Sequence, residues 1–241
     1  MQTQDHRPRV AAERRERMRA RLLASAMRLV AQKGPAATSI DDVISAAEVS
    51  RGTFYKYFPS PDALVRELAV EIANELIEMA EPVVLSYADP AERVSSGMRL
   101  VARLAIDHPL AATFLVRLGW PEARGPSMLL DFVKRDLAEG IRQGRFTRMP
   151  IALALNIVTG AILGATHRML EPGCEADFAE QSAAAALRGL GLDAQSAERI
   201  ANGPLKPVEI LSEGLLIETS KIPAPAVAKT TRHGVGHPTA S

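Results

Sequence analysis

The chain has 241 residues, 47% of them hydrophobic and 24% charged, with a formal net charge of +1. That is enough chain to bury one large or two modest cores. A single cysteine, Cys174, excludes an intramolecular disulfide and any cysteine-based metal site. The charge is unevenly placed. Residues 1–60 hold eleven Lys/Arg against six Asp/Glu (+5), whereas 61–241 hold eighteen against twenty-two (−4), so a polyanionic partner is expected at the amino-terminal end only. No run of about eighteen apolar residues is evident, and the amino terminus lacks the apolar centre of a signal peptide. A cytoplasmic protein that does not engage a membrane is therefore expected. No internal repeat is visible.

Residues 1–10 are polar and expected to be disordered. From 11 to 33 the pattern predicts a helix with Met18, Leu22, Ala26, Leu29 and Val30 on one face. Gly34-Pro35 then stops it. Arg14, Arg15, Arg17, Arg19 and Arg21 crowd its beginning, where they either reach phosphates or solvate an exposed helix end.

The stretch 38–57, TSIDDVISAAEVSRGTFYKY, organises the rest. Ile40, Val43, Ile44 and Ala47 share one face of a short helix, with Thr38 as its expected cap and Asp41 three residues on. Glu48-Val49-Ser50 leaves room only for a tight turn, and Ser50 caps a second short helix. Phe54 and Phe58, four apart, face inward. Gly52, Thr53 and Lys56 face outward, flanked by Tyr55 and Tyr57. Two short helices about a three-residue turn, the second with a small, polar, basic and aromatic outer face, describe a helix-turn-helix.

The pattern T-x-I-x-x-V…A-A-x-V-S-R-G-T-F-Y-K-Y-F…L resembles the DNA-binding signature of the TetR family of bacterial transcriptional regulators, over about residues 12–68. Three positions depart from that pattern. Glu48 stands at a usual turn glycine, Ile44 at a usual alanine, and Pro61 at a usual phosphate-holding lysine. The resemblance implies that Thr38, Ser39, Ser50, Arg51, Gly52, Thr53, Tyr55, Lys56 and Tyr57 contact double-stranded operator DNA.

Ser60-Pro61-Asp62 then supplies a cap, a proline at the first helical position and an acid in the first turn. Leu64, Leu68, Ile72, Leu76 and Met79 keep helical spacing to Pro82, which predicts a connector joining head to body. Further helices are predicted at about 90–107, 109–118, 127–143, 150–170, 177–190 and from Asp193 to about 201. One more short helix is expected within 208–217, and a disordered Pro-, Ala- and Gly-rich tail from about 221. The fold class is all-α: a three-helix head over 11–60, an effector-binding and dimerisation body over 61–204, and a carboxy-terminal extension over 205–241.

Catalytic chemistry finds little support. His6, His233 and His237 fall in the expected disordered ends, and His108 sits at a helix boundary. His167 lies late in an apolar helix with no carboxylate or cysteine at ligand spacing. H-E-x-x-H, G-x-S-x-G and glycine-rich phosphate loops are missing. No enzyme, metal or cofactor is expected.

The helix at 150–170 is apolar nearly all round and carries Ala154, Gly160, Ala161, Gly164 and Ala165; the next carries Ala183 and Ala186. Small residues on two adjacent helices permit close approach of backbones. The family resemblance implies that these helices pair with those of a second chain, while burial within one chain is the alternative. Met79, Arg103, Phe114, Arg117, Trp120, Met128 and Phe132 are candidates for an effector pocket between helices, each also suited to ordinary core. The expected function is a homodimeric repressor that binds a palindromic operator and is released by a small molecule. The alternatives are a ligand-independent regulator or activator, and a ligand-binding or enzymatic helical bundle with a vestigial head.

Overall fold

The computed structural model describes residues 7–119, 128–209 and 211–220. Among these residues every regular element is an α-helix. The expectations of disorder for 1–6 and for 221–241 fall outside them.

Helix α1 (Arg7–Lys33) begins four residues before the predicted start, so residues 7–10 are helical rather than disordered. Residues 9–17 are exposed, and burial begins at Leu22. Gly34 ends it as expected, at a φ of +83° with its N–H donating to the Val30 carbonyl at 2.8 Å.

Helices α2 (Ile40–Ala46) and α3 (Arg51–Tyr57) follow. The cap of α2 is Ser39, not Thr38. Ser39 Oγ accepts from the Asp42 N–H at 3.2 Å, and the Asp42 carboxylate accepts the Ser39 N–H at 2.8 Å, a reciprocal capping box. The reason is tertiary. In this register Asp42 also meets the Lys33 ammonium at 2.6 Å, which ties the end of α1 to the start of α2. That ammonium, then the Ser39 hydroxyl and N–H, hold the Asp42 carboxyl well below the usual carboxylate range. Thr38 instead donates its hydroxyl to the Gly34 carbonyl at 2.8 Å.

The connector α4 (Pro61–Leu85) starts on the predicted Ser60 cap, whose Oγ accepts from the Ala63 N–H at 3.1 Å. It continues through Pro82 instead of stopping there. Proline removes one backbone bond, and one turn from the helix end the loss leaves only a short segment to hold. The body follows with α5 (Pro90–Asp107), α6 (Pro109–Leu118), α7 (Met128–Arg142), α8 (Ile151–Met169), α9 (Phe178–Gly189) and α10 (Ala194–Ala201). The last helix, α11 (Leu215–Ser220), lies later than the predicted 208–217.

Two apolar clusters dominate. The first joins the head (Leu22, Met27, Val30, Val43, Phe54, Phe58) to the connector (Leu64, Leu68, Ile72, Leu76) and to α6 (Leu110, Phe114), and Leu215 and Leu216 of α11 complete it. Head and body are thus fused by one core, with α1 packed directly on α6. The second cluster gathers α5, α7, α8, α9 and α10 around Met98, Leu137, Leu155, Leu187 and Leu190.

Helix α8 corrects one expectation. With 19 residues and a mean hydropathy of 1.3, it is long and apolar enough to cross a membrane by those two measures. Here it packs against α5, α6, α7 and α9, and Ala154, Leu155, Val158 and Ala165 are buried in the bundle.

Candidate nucleic-acid interface

The second helix of the head is short, capped and held by its inner face. Ser50 Oγ accepts from the Thr53 N–H at 3.1 Å, and the two hydroxyls lie 2.9 Å apart. Phe54 and Phe58 are fully buried with ring centroids 5.9 Å apart. Their burial fixes the phase of α3, so Gly52, Tyr55 and Lys56 are exposed, as predicted, and so is Arg51. Thr53 and Tyr57 are half-buried: the Thr53 hydroxyl sits on the cap, and Tyr57 leans on the head core. Tyr55 is 47% exposed and stands edge-on to Phe54. A Cβ built on Gly52 meets only Ser50 Oγ, at 3.9 Å. Nothing inside the protein requires glycine there.

The turn between the helices shows what Glu48 does. Its φ is +50°, and it is the one non-glycine residue with positive φ among those described. The departure from glycine is therefore carried as strain of about 1–2 kcal/mol, while Glu48 forms an exposed pair with Arg21 at 2.8 Å. Exposed pairs contribute little. Glu48→Gly is expected to raise the stability of the head by about 1 kcal/mol, read as a higher denaturant midpoint. Ile44 packs at the edge of the head core, and Pro61 lines a small cavity of about 280 Å³ with Thr38 and Val43.

The cations of the head fall into two groups. Arg9, Arg19, Arg21, Lys33 and Arg51 are ion-paired, Arg19 with Glu67 and Glu71 of α4 and Arg51 with Asp41 at 2.5 Å. The two glutamates hold the Arg19 guanidinium well above its ordinary value, outweighing partial burial. Arg14, Arg15, Arg17, Arg28 and Lys56 have no acidic partner among the described residues. Of these, Arg14, Arg15 and Lys56 line one open cleft of about 940 Å³ between the free amino-terminal turns of α1 and the end of α3, together with Val10, Met18 and Tyr57. Chain order hints at this cleft only through the arginine cluster; the absence of partners is visible only in the fold.

The proposed effector residues are not brought to one place. Met79 and Phe114 join the fused head–body core. Arg117 reaches the Gly34 turn at the end of α1. Arg103 is bound to Glu180 of α9 at 2.9 Å. Met128 is 57% exposed at the start of α7, Phe132 stacks under the Arg135 guanidinium, and Trp120 lies outside the described residues.

The small-residue face is corrected in part. Ala154, Ala165, Ala183 and Ala186 are buried within the chain, where they let α8 and α9 close on the core. What remains on the surface is the strip of Leu153, Ile157, Gly160, Ala161 and Gly164, in which Leu153 and Gly164 are exposed and the rest half-buried. An all-apolar helix does not declare which of its faces is inward.

Comparison with known proteins bears on these features. Residues 22–68 match the model of the bacterial regulatory proteins of the tetR family, and residues 89–203 match a tetracyclin repressor-like C-terminal domain. The HTH-type transcriptional regulator Rv1255c of Mycobacterium tuberculosis is 33% identical over 109 residues, 44% of this chain and 52% of that one. EthR of Mycolicibacterium smegmatis is 34% identical over 94 residues, 39% of this chain and 43% of that one. The chain thus matches about half the length of these curated relatives. Among solved structures, RolR in complex with resorcinol superposes with a TM-score of 0.65 and 30% identity, covering 82% of this chain and all of RolR. A TetR-family regulator from Shewanella sp. PV-4 shares the fold at a TM-score of 0.65 and 22% identity. Matched at head and body alike, this chain belongs to the TetR family of bacterial transcriptional regulators.

Proposed function

We propose that the chain is a cytoplasmic, non-enzymatic transcriptional regulator that binds operator DNA as a homodimer and represses until a small molecule releases it. The observation that carries this reading is the outer face of α3. Gly52 offers an open approach for a base edge, Tyr55 projects beside it, and Lys56 continues into a cleft whose cations have no partner of their own. Phosphate contacts from Tyr55, Lys56, Arg14 and Arg15 would position the head, and Gly52 with Thr53 would read bases. Footprinting of upstream DNA tests it: two protected half-sites about 34–36 Å apart support the reading, and no protection at any concentration refutes it.

The second chain is proposed to dock on the open strip of α8. A Cβ at Gly164 meets nothing within 4 Å in the single chain. Gly164→Leu is therefore expected to leave the folded monomer intact and to weaken a dimer by about 1–3 kcal/mol through overpacking. Sedimentation would show the shift, whereas a native protein that is monomeric at micromolar concentration would end the dimer proposal. For the effector, RolR was solved with resorcinol; a small molecule that changes how the body holds α4 is proposed for this chain, with no residue assigned to its site. Its effect on DNA would equal its difference in affinity for the two head spacings.

A further inference from the structure

The family match ends at Gly203, but the chain continues, and its next residues are fastened to α4 at two places. Tyr87, just past the end of α4, donates its hydroxyl to the Pro204 carbonyl at 3.1 Å and accepts the Lys206 N–H at 3.3 Å. The Lys206 ammonium donates to Ser86 Oγ at 2.8 Å and to the Ser86 carbonyl at 3.3 Å, above the Tyr87 ring. The segment then returns to the middle of α4. There both carboxylate oxygens of Glu75 are engaged, one by the Leu215 N–H at 2.6 Å and the other by the Leu216 N–H at 2.8 Å. Gly214 makes the approach possible: its φ is +131°, and a Cβ would lie 2.8 Å from Glu75 Oε1. Beyond it Leu215, Leu216 and Thr219 are buried, and α11 packs at once on α1 of the head, α4 of the connector and α6 of the body.

A surface extension with no role would not be anchored at two points of one helix and buried at the junction of three elements. We propose that residues 204–209 and 211–220 form a clasp that fastens α4 to both head and body, and that it sets the position of the head. With the clasp closed, α4 moves only together with α1 and α6. With it open, the middle of α4 loses its tie through Glu75 to α11, and the head is held by the α1–α6 and α1–α4 packing alone, which lets it shift more freely against the body. The effect on operator binding rests on the regulatory reading given above; the effect on mobility does not.

The test is hydrogen exchange on the full chain without DNA, comparing the native protein with Glu75→Gln, Gly214→Ala and Leu216→Glu. Glu75→Gln is decisive because it keeps shape and fold while the carboxamide can accept only one of the two N–H groups. Exchange is expected to rise about tenfold or more in 211–220 and also in 22–31 of α1 and 68–79 of α4, with 128–201 unchanged. A rise confined to 211–220, or spread evenly over the chain, overturns the clasp. On an operator found by footprinting, Glu75→Gln is expected to weaken binding about fivefold or more, and unchanged affinity overturns the claim that the clasp sets the head. If the native chain binds no DNA, the regulatory reading fails while the exchange result still decides the clasp.

Discussion

Replacing Arg14, Arg15 and Lys56 together by alanine is expected to flatten the salt dependence of operator binding. These three side chains line one cleft and have no acidic partner among the described residues, so each is free to displace a counterion from a phosphate. Each phosphate contact contributes about 0.9 to the slope of log affinity against log salt. Three lost contacts per head lower that slope by about 2.7, so a fourfold rise in salt would weaken the native protein about fortyfold more than the variant, per head. Sequence preference should stay the same, because phosphate contacts position without reading. The fold should hold as well, since surface changes away from caps and cores stay within about 0.5 kcal/mol. Gly52→Ala is the contrasting variant. The free protein has room for the methyl group, so stability should hold or rise by up to about 1 kcal/mol, as for glycine replaced by alanine within a helix, while the methyl intrudes on the groove and preferred sequences lose affinity. Titrations at several salt concentrations separate the two effects. An unaltered slope in the triple variant would show that the amino-terminal turns of α1 do not touch DNA.

Glu180→Ala is expected to be the most damaging single change in the body. Glu180 and Arg99 are both nearly buried; the Arg99 Nε donates to Glu180 Oε1 at 3.1 Å and its Nη1 to the Gly203 carbonyl at 2.9 Å. Arg103 adds a second donor from the more exposed side. The group joins α5, α9 and the end of α10. Removing the carboxylate strands a buried guanidinium, a loss of about 3–5 kcal/mol, or roughly 10 °C in melting temperature for a chain of this size. Replacing both partners, Glu180→Leu with Arg99→Met, should recover most of that loss, because the desolvation of both charges disappears with them. Calorimetry on the two variants checks it. Equal melting temperatures for Glu180→Ala and the double variant would mean that the carboxylate acts through packing and not through its charge.

Much of this was legible in chain order because it is local. Ser50 and Ser60 cap the helices they precede, Gly34-Pro35 ends α1, and Phe54 and Phe58 set the inward face of α3. These features depend on neighbours one to four residues away, so the spacing of residue types specifies them. The family resemblance over the head rests on the same local pattern. Even here the register of α2 moved by one residue, because Thr38 and Ser39 both offer a hydroxyl. The choice between them depends on Asp42 meeting Lys33 across the Gly34 turn.

What only the tertiary structure decided involves partners far apart in the chain. The composition of α8 required burial but not a direction, and packing against α5 and α9 turned Ala154 and Ala165 inward while leaving Gly164 open. The arginines of α1 look alike in sequence, yet Arg19 is paired with Glu67 and Glu71 while Arg14 and Arg15 face the cleft. Leu215 and Leu216 read as a short apolar segment near the end of the chain. Their place in the core that joins head and body depends on Glu75, 140 residues earlier. Local patterns specify helices and their ends because those bonds close within a turn. Which charges are paired, which faces are covered and where α11 docks depend on loop closures over tens to hundreds of residues, and only the competition among all such closures settles them.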